Sequence, residues 1–273
     1  MTGLPASLAD YGPAALSAVV VGVYLVLGEP LAGHVLHRRF EGRLRSDPNA
    51  RRSFYLRLLV LEWGLALLAL VIWLAATDVD AAAVGLAWPT GPPGPVAGVA
   101  AVLVLVLALA SVRALRGGAL ARAVPQPRPG SSPPPQGRHA EPPVHATLAL
   151  LPRSRSERRL FTVVGVTAGV CEEWLYRGFF LAVVAAVAGG LPDVALVLVG
   201  AVAFGLAHAY QGPSGIVLTG VLGGVFAALY LETGSLLLPV LLHAAVDLRF
   251  LLVPSSALPE VLPAPRAPGG ALA

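Results

Sequence analysis

Long apolar runs, each bounded by charged residues or by clusters of Pro and Gly, alternate with polar segments along this chain. An α-helix needs about 20 mostly apolar residues to cross a bilayer. The pattern therefore predicts an all-α integral membrane protein with about seven transmembrane helices. The predicted spans are residues 14–36, 57–76, 96–113, 159–188, 194–210, 214–231 and 236–253.

Composition supports a membrane protein and excludes several other classes. Hydrophobic residues make up 56% of the chain and charged residues 12%, whereas a soluble domain has about 25% charged residues. Cys171 is the single cysteine, which excludes a disulfide framework and any multi-cysteine metal or iron–sulfur site. The net charge of +4 comes from arginines that cluster between the apolar runs, so we expect no nucleic-acid partner.

The distribution of arginine predicts how the helices are oriented. Residues 37–57 and 113–159 carry clusters of arginine, whereas residues 1–13 and 77–95 contain no Arg or Lys. The positive-inside rule then places the two arginine-rich segments in the cytoplasm and the N-terminus outside. Seven crossings place the C-terminus inside. We expect the protein in a bacterial cytoplasmic membrane, an expectation that rests on composition alone.

Proline-rich segments divide the chain into four predicted regions. Residues 117–145 contain eight prolines and cannot sustain a helix, which predicts a disordered cytoplasmic linker. The regions are an N-terminal three-helix membrane region at 1–113, a Pro/Arg-rich linker at 114–158, a helix core at 159–253 and a flexible tail at 254–273.

Ionisable residues are concentrated in the four C-terminal spans. A charge near the bilayer centre costs at least about 2.5 to 3.5 kcal/mol, so such residues are functional candidates. Glu173 and Arg177 are four residues apart on one helical face and can form an ion pair, while Glu172 is turned about 100° away and stays free for chemistry. The candidates are Glu172, Glu173, Arg177, His208, His243 and Asp247.

Three further side chains at membrane depth leave two interpretations open. Glu29 and Glu62 can face a water-filled cavity or reach towards an interface. Tyr176 lies one turn from Glu172 and can line a cavity or simply pack in the core.

The spacing of three motifs resembles that of the CPBP family of CAAX prenyl proteases and bacteriocin-processing enzymes, also called the Abi family. The motifs are Glu-Glu-x-x-x-Arg at 172–177, Phe-x-x-x-His at 204–208 and His-x-x-x-Asp at 243–247. The resemblance covers roughly residues 150–253. It implies a four-helix catalytic core and an intramembrane endopeptidase that acts on a membrane-associated polypeptide.

The resemblance also implies a role for each motif residue. Glu172 is the general base for a water that His208 helps to position. Glu173, Arg177 and Phe204 support the site, and His243 with Asp247 stabilises the oxyanion. Eukaryotic prenyl proteases have Asn where this chain has Asp247, and an ionised carboxylate can only accept hydrogen bonds.

The sequence leaves several alternatives open. The favoured mechanism requires no cofactor, but zinc is possible in a metallo-type enzyme, with Glu172, His208, His243 and Asp247 as candidate ligands. A non-catalytic membrane scaffold or immunity protein is the alternative outside enzymes, followed by a proton-coupled transporter. The expected partners are a membrane-associated peptide or protein substrate and the lipid bilayer.

Overall fold

A computed structural model describes residues 3–44, 46–89, 92–116, 148–255 and 258. The regular structure of these residues is helical, as predicted. Their α-helices are α1 (Ala15–Val23), α2 (Glu29–Arg43), α3 (Ala50–Leu74), α4 (Pro95–Arg116), α5 (Arg155–Glu173), α6 (Leu181–Ala188), α7 (Asp193–Ala207), α8 (Gly212–Thr233) and α9 (Leu237–Leu248). Short 3-10 segments cover Leu8–Ala14, Ala209–Gln211 and Arg249–Leu252, and π-helical segments cover Tyr24–Gly28 and Trp174–Phe180.

Several helices are long and apolar enough to cross a membrane, so the chain is an integral membrane protein. Within the described residues, four helical stretches meet both criteria: Leu8–Arg43, Ala50–Leu74, Pro95–Ala114 and Ala209–Thr233. All seven predicted apolar runs are helical, but their number as full crossings stays a prediction.

Helix α7 shows why the predicted span at 194–210 differs from a full crossing. It has 15 residues, which at 1.5 Å per residue is about 22 Å, whereas the hydrocarbon core is about 30 Å thick. The helix ends at Ala207, and His208 follows with non-helical backbone. Irregular backbone at membrane depth is tolerated where it lines a cavity, and His208 does line one.

The two arginine-rich segments meet at one end of the helices. Arg51 Nε donates a hydrogen bond to the carbonyl of Ala149 at 2.9 Å. Arg158 Nη1 donates to the carbonyl of Val253 at 3.1 Å. Both arginine-rich segments and residue 253 therefore lie at the same end of the helices. Which face of the membrane this end meets stays a prediction.

The arginine-free segments meet at the opposite end. The backbone N–H of Asp78 donates to the carbonyl of Asp10 at 2.9 Å, and the N–H of Leu236 donates to the carbonyl of Gly85 at 2.9 Å. Residues 8–14 and 77–86 thus lie together, as the arginine distribution predicts.

Helix α5 begins earlier than the predicted core boundary at residue 159. Ser154 accepts a hydrogen bond from the N–H of Glu157, and the Glu157 side chain accepts one from the N–H of Ser154, which forms a capping box. This exchange satisfies N–H groups that the first turn leaves unpaired, so the helix begins at Arg155. Residues 117–147 of the predicted linker and most of the predicted tail lie outside the described residues.

Helices from both halves of the chain share one core around α5. Trp63 Nε1 on α3 donates to Thr167 Oγ1 at 3.2 Å. Trp174 Nε1 donates to the carbonyl of Ala66 at 3.0 Å. The N-terminal helices therefore form part of the wall around the residues of the C-terminal motifs.

Each π-helical segment lies next to a carboxyl group of interest. The segment Tyr24–Gly28 immediately precedes Glu29, and Trp174–Phe180 immediately follows Glu173. A π-turn inserts an extra residue into a helix, which changes the direction of the side chains beyond it, and such turns are frequent at functional sites. Tyr176 Oη donates to the carbonyl of Leu25 at 3.4 Å, so the two segments are in contact.

Candidate active site

A cavity of about 490 Å³ lies between the N-terminal helices and the C-terminal motifs. Its volume is within the range of about 300 to 1,000 Å³ that is typical of ligand pockets. Most of its wall is apolar. The polar and aromatic side chains at its wall include Tyr24, Glu29, Glu62, Glu172, Tyr176, His208, Tyr210, Gln211, His243 and Asp247.

Glu172 occupies the centre of the predicted motif residues. Its Oε2 lies 4.0 Å from His208 Nε2 and 3.9 Å from His243 Nε2. This oxygen is buried and has no hydrogen-bond partner among the described residues. Two polar atoms 4 Å apart are too distant for a direct hydrogen bond but can be bridged by one water.

The protonation of His208 follows from its backbone contact. Its Nδ1 lies 2.9 Å from the carbonyl oxygen of Phe204. A carbonyl only accepts, so Nδ1 carries the proton, and in the neutral ring Nε2 is an acceptor. His208 therefore presents a hydrogen-bond acceptor towards Glu172.

Glu173 joins the first motif to the third. Its Oε1 accepts a hydrogen bond from Arg177 Nη1 at 2.9 Å, which is the predicted ion pair, and lies 2.6 Å from His243 Nδ1. Both members of the pair are fully buried. Arg177 Nη2 also donates to the carbonyl of Gly223 at 3.1 Å. A buried charge is tolerated when it is paired and hydrogen-bonded, as both are here.

The contact with Glu173 orients the imidazole of His243. Because Nδ1 donates to Glu173, Nε2 is turned to the cavity, 3.9 Å from Glu172 Oε2 and 3.9 Å from Asp247 Oδ2. The predicted pairing on one helical face does bring Asp247 beside His243, but at a distance too long for a hydrogen bond. The residue that orients His243 is Glu173, from another helix.

Phe204 is the aromatic centre of the site. The guanidinium carbon of Arg177 lies 4.3 Å from the centre of the Phe204 ring. The ring centres of His208 and His243 lie 4.7 and 5.8 Å from that of Phe204. The ring therefore holds the first, second and third motifs against one another.

Glycines on α7 and α8 make room for this arrangement. A Cβ at Gly223 would lie 2.9 Å from Cβ and 3.0 Å from Cδ1 of Phe204. A Cβ at Gly205 would lie 2.7 Å from the carbonyl oxygen of Ile216. Small residues at these positions allow α7 and α8 to approach closely, which is typical of helix packing in membranes.

Other cavity residues extend the set of sequence candidates. Tyr176 lines the cavity, and so do Glu29 and Glu62, so the cavity interpretation applies to all three. Tyr210 and Gln211 were not predicted, although both follow His208 closely and could have been found from that proximity. Cys171 is buried in the apolar core.

The side chains present do not form a ready metal site. Within the described part of the chain, no group of three or more His, Cys, Asp and Glu residues is arranged to hold a metal ion. The zinc ligand set considered from the sequence is therefore not supported by the donor geometry.

Comparison with known proteins agrees with the motif pattern. Searches of curated proteins and of solved structures found no match. A family model described as type II CAAX prenyl endopeptidase Rce1-like matches residues 155–249, and this range contains all three motifs. Residues 155–249 of this chain are therefore similar to the Rce1-like CAAX prenyl endopeptidases, which confirms the resemblance to the CPBP family over this part of the chain.

Proposed function

We propose that this protein is an intramembrane endopeptidase that hydrolyses a peptide bond of a membrane-associated polypeptide with a water activated by Glu172. The observation that carries the proposal is the convergence on one cavity of Glu172 from α5, His208 from the end of α7 and His243 from α9. The family match supports the class of reaction.

The geometry suits a water held between two acceptors. A water between Glu172 Oε2 and His208 Nε2 donates one proton to each, so its lone pairs are directed towards an incoming carbonyl carbon. Glu172 takes the first proton as the water oxygen bonds to that carbon. The proton then passes to the amide nitrogen as the C–N bond breaks, and His208 assists this return.

The oxyanion that forms in this step needs a hydrogen-bond donor. His243 donates from Nδ1 to Glu173, so it donates from Nε2 as well when both nitrogens carry protons. Glu173 and Asp247 balance the charge of that form. Asp247 itself donates to the oxyanion only when it is protonated.

The position of the site restricts the substrates. Leucines from α3, among them Leu58, Leu61 and Leu65, line the same cavity as the motif residues. An extended polypeptide segment with apolar side chains matches this wall better than a polar one. We therefore assign the substrate to polypeptides that partition into the bilayer.

A metal-dependent form of the reaction is the second candidate mechanism. The described residues include no group of three or more potential ligands arranged to hold a metal ion, so this mechanism enters only as an outcome of the test of Asp247. The metal-independent steps need only side chains of this chain. Replacement of Asp247 by Asn should affect the two mechanisms differently.

Substrate trapping tests the proposed function directly. The Glu172→Gln variant keeps the shape of the side chain but removes the general base, so it should retain bound polypeptide that the wild-type protein cleaves. Peptides that co-purify with the variant are identified by mass spectrometry and then offered to the wild-type protein. Cleavage of these peptides by wild type, with none by Glu172→Gln, is the expected result. If wild type cleaves none of them, the protein is a scaffold or transporter and the proposal is wrong.

A further inference from the structure

Two carboxyl groups outside the residues that the family model matches share the cavity with Glu172. Glu29 lies at the start of α2 and Glu62 lies on α3, and both line the cavity. The Oε2 atoms of both are buried and have no hydrogen-bond partner among the described residues. The proposed water activation uses neither group.

Among the described residues that line the cavity, the imidazoles of His208 and His243 are the only side chains that can carry a positive charge. The carboxyls of Glu172 and Asp247 line the same cavity as Glu29 and Glu62. Among the described residues that line the cavity there is no arginine, and the chain has no lysine. By contrast, the buried carboxylate of Glu173 has both Arg177 and His243 as donors.

A buried carboxyl without a partner is costly to ionise, and a cation that enters the cavity favours the ionised form by pairing with it. The surrounding wall defines the shape of such a cation. Glu62 is the one carboxyl that α3 presents to the cavity, and most of the other α3 residues that line it are apolar, among them Leu58, Leu61, Leu65 and Leu68. A Lys or Arg side chain fits a carboxyl surrounded by apolar residues. Its methylene groups pack on the apolar surface, and its charged group binds a polar partner.

Local backbone structure places Glu29 towards the same space. The π-helical segment Tyr24–Gly28 ends directly before it. A Cβ at Gly28 would lie 2.3 Å from Cδ2 of Tyr24, so glycine allows the Tyr24 ring to lie against this turn. Tyr24 and Glu29 then line the cavity together.

We propose that Glu29 and Glu62 form an anionic subsite that binds a Lys or Arg side chain of the substrate polypeptide near the scissile bond. This inference rests on the proposed function, since it names a feature of the substrate of the same site. The subsite selects a basic residue flanked by apolar residues.

The first test compares matched peptides. Purified protein is incubated with pairs of apolar peptides that differ at one position, which holds Arg in one peptide and its neutral isostere citrulline in the other. Successive pairs carry this substitution at successive positions along the peptide. Wild type should cleave peptides with Arg at one position with at least about tenfold higher kcat/KM than their citrulline partners, a ratio typical of one charge-assisted hydrogen bond. In Glu62→Gln and Glu29→Gln this ratio should fall towards one. The control Asp193→Asn removes an exposed carboxyl at the start of α7 and should keep the wild-type ratio.

The second test measures binding without cleavage. Butylguanidinium, an analogue of the Arg side chain, should raise the Tm of wild type and of Asp193→Asn at millimolar concentration, because a ligand that binds only the folded state stabilises it. The neutral analogue butylurea should not. Glu62→Gln and Glu29→Gln should lose most of the shift produced by butylguanidinium.

The outcomes separate this inference from the proposed function. Cleavage by wild type with equal rates for Arg and citrulline peptides, and no specific Tm shift, overturns the subsite and leaves the protease proposal in place. A specific Tm shift that Glu62→Gln removes, with no peptide cleaved, supports the cation subsite and overturns the protease proposal. If butylguanidinium shifts the Tm of Glu62→Gln and of Glu29→Gln as much as that of wild type, the subsite proposal is wrong.

Discussion

Glu173 Oε1 and His243 Nδ1 lie 2.6 Å apart, although 70 residues separate them in the chain. This contact gives Glu173 two donors, since Arg177 Nη1 lies 2.9 Å from the same oxygen. Arg177 in turn packs on the ring of Phe204. The three motifs therefore form one connected unit, in which the pair at 173 and 177 orients His243 in addition to balancing charge.

Loss of the central acceptors should abolish activity without loss of the fold. Glu172→Gln removes the general base, and His208→Ala removes the second acceptor of the proposed water. General acid–base groups contribute about 10²- to 10⁴-fold to rate. Both variants should insert, purify and unfold like wild type. Cleavage of a trapped peptide is the measurement, with Asp193→Asn as the control. Retention of most activity in either variant removes that residue from the mechanism.

Removing one member of the buried pair should destabilise the protein strongly. Glu173→Gln or Arg177→Met leaves the other charge uncompensated, and breaking a buried ion pair in this way lowers the free energy of unfolding by about 3 to 5 kcal/mol. Thermal unfolding in detergent is the measurement. A Tm close to that of wild type in both variants would contradict the role of the pair.

The charge-reversed double variant distinguishes a simple pair from the connected unit. Glu173→Arg combined with Arg177→Glu preserves the pair but places a cation against His243 and a carboxylate near the carbonyl of Gly223. We therefore expect the double variant to be no more stable than the worse single variant. Clear recovery of Tm would show that the pair acts independently of His243.

A methyl group at Gly223 should disturb the site, whereas one at Gly224 should not. The Cβ of Gly223→Ala would lie 2.9 Å from Cβ of Phe204, while that of Gly224→Ala would lie 3.3 Å from Cβ of Ala201. Displacement of Phe204 moves the ring that contacts Arg177 and both histidines. We expect a loss of activity of about tenfold or more in Gly223→Ala, since small misplacements of catalytic groups can cost up to about 10²-fold. Equal activities for the two variants would contradict the role given to Phe204.

Asp247→Asn distinguishes the two hydrolytic mechanisms. Without a metal, Asn can still donate to the oxyanion, so activity should stay within about tenfold of wild type. If zinc is bound, the Asp247→Asn variant should lose both metal affinity and activity. The expected loss is about 10- to 100-fold, as for a residue that supports a metal ligand. Elemental analysis beside the cleavage assay is the measurement. Stoichiometric zinc that disappears together with activity in this variant would overturn the metal-independent mechanism.

Cysteine labelling tests the orientation of the helices. The native Cys171 is buried, so wild type provides a low background for a membrane-impermeant maleimide. Trp88→Cys lies in the arginine-free segment and Ser156→Cys in the arginine-rich one, and both positions are exposed. Intact cells should label only Trp88→Cys, and Ser156→Cys should label after permeabilisation. The reverse pattern would invert the predicted topology.

The sequence by itself determined the helical membrane class, the ends at which the charged segments lie and the residues of the three motifs. Apolar runs and arginine clusters are local properties, so they can be read from consecutive residues. The ion pair of Glu173 and Arg177 was predictable for the same reason, because four residues on one helix place two side chains on one face.

Only the tertiary structure decided which residues from different helices meet. The contact of Glu173 with His243, the central position of Phe204 and the shared cavity of Glu29, Glu62 and Glu172 depend on how the helices cross, and helical periodicity carries no information about that. The early end of α7 before His208 also differed from the predicted span, because hydropathy does not distinguish a helix that crosses the bilayer from one that ends at a cavity within it.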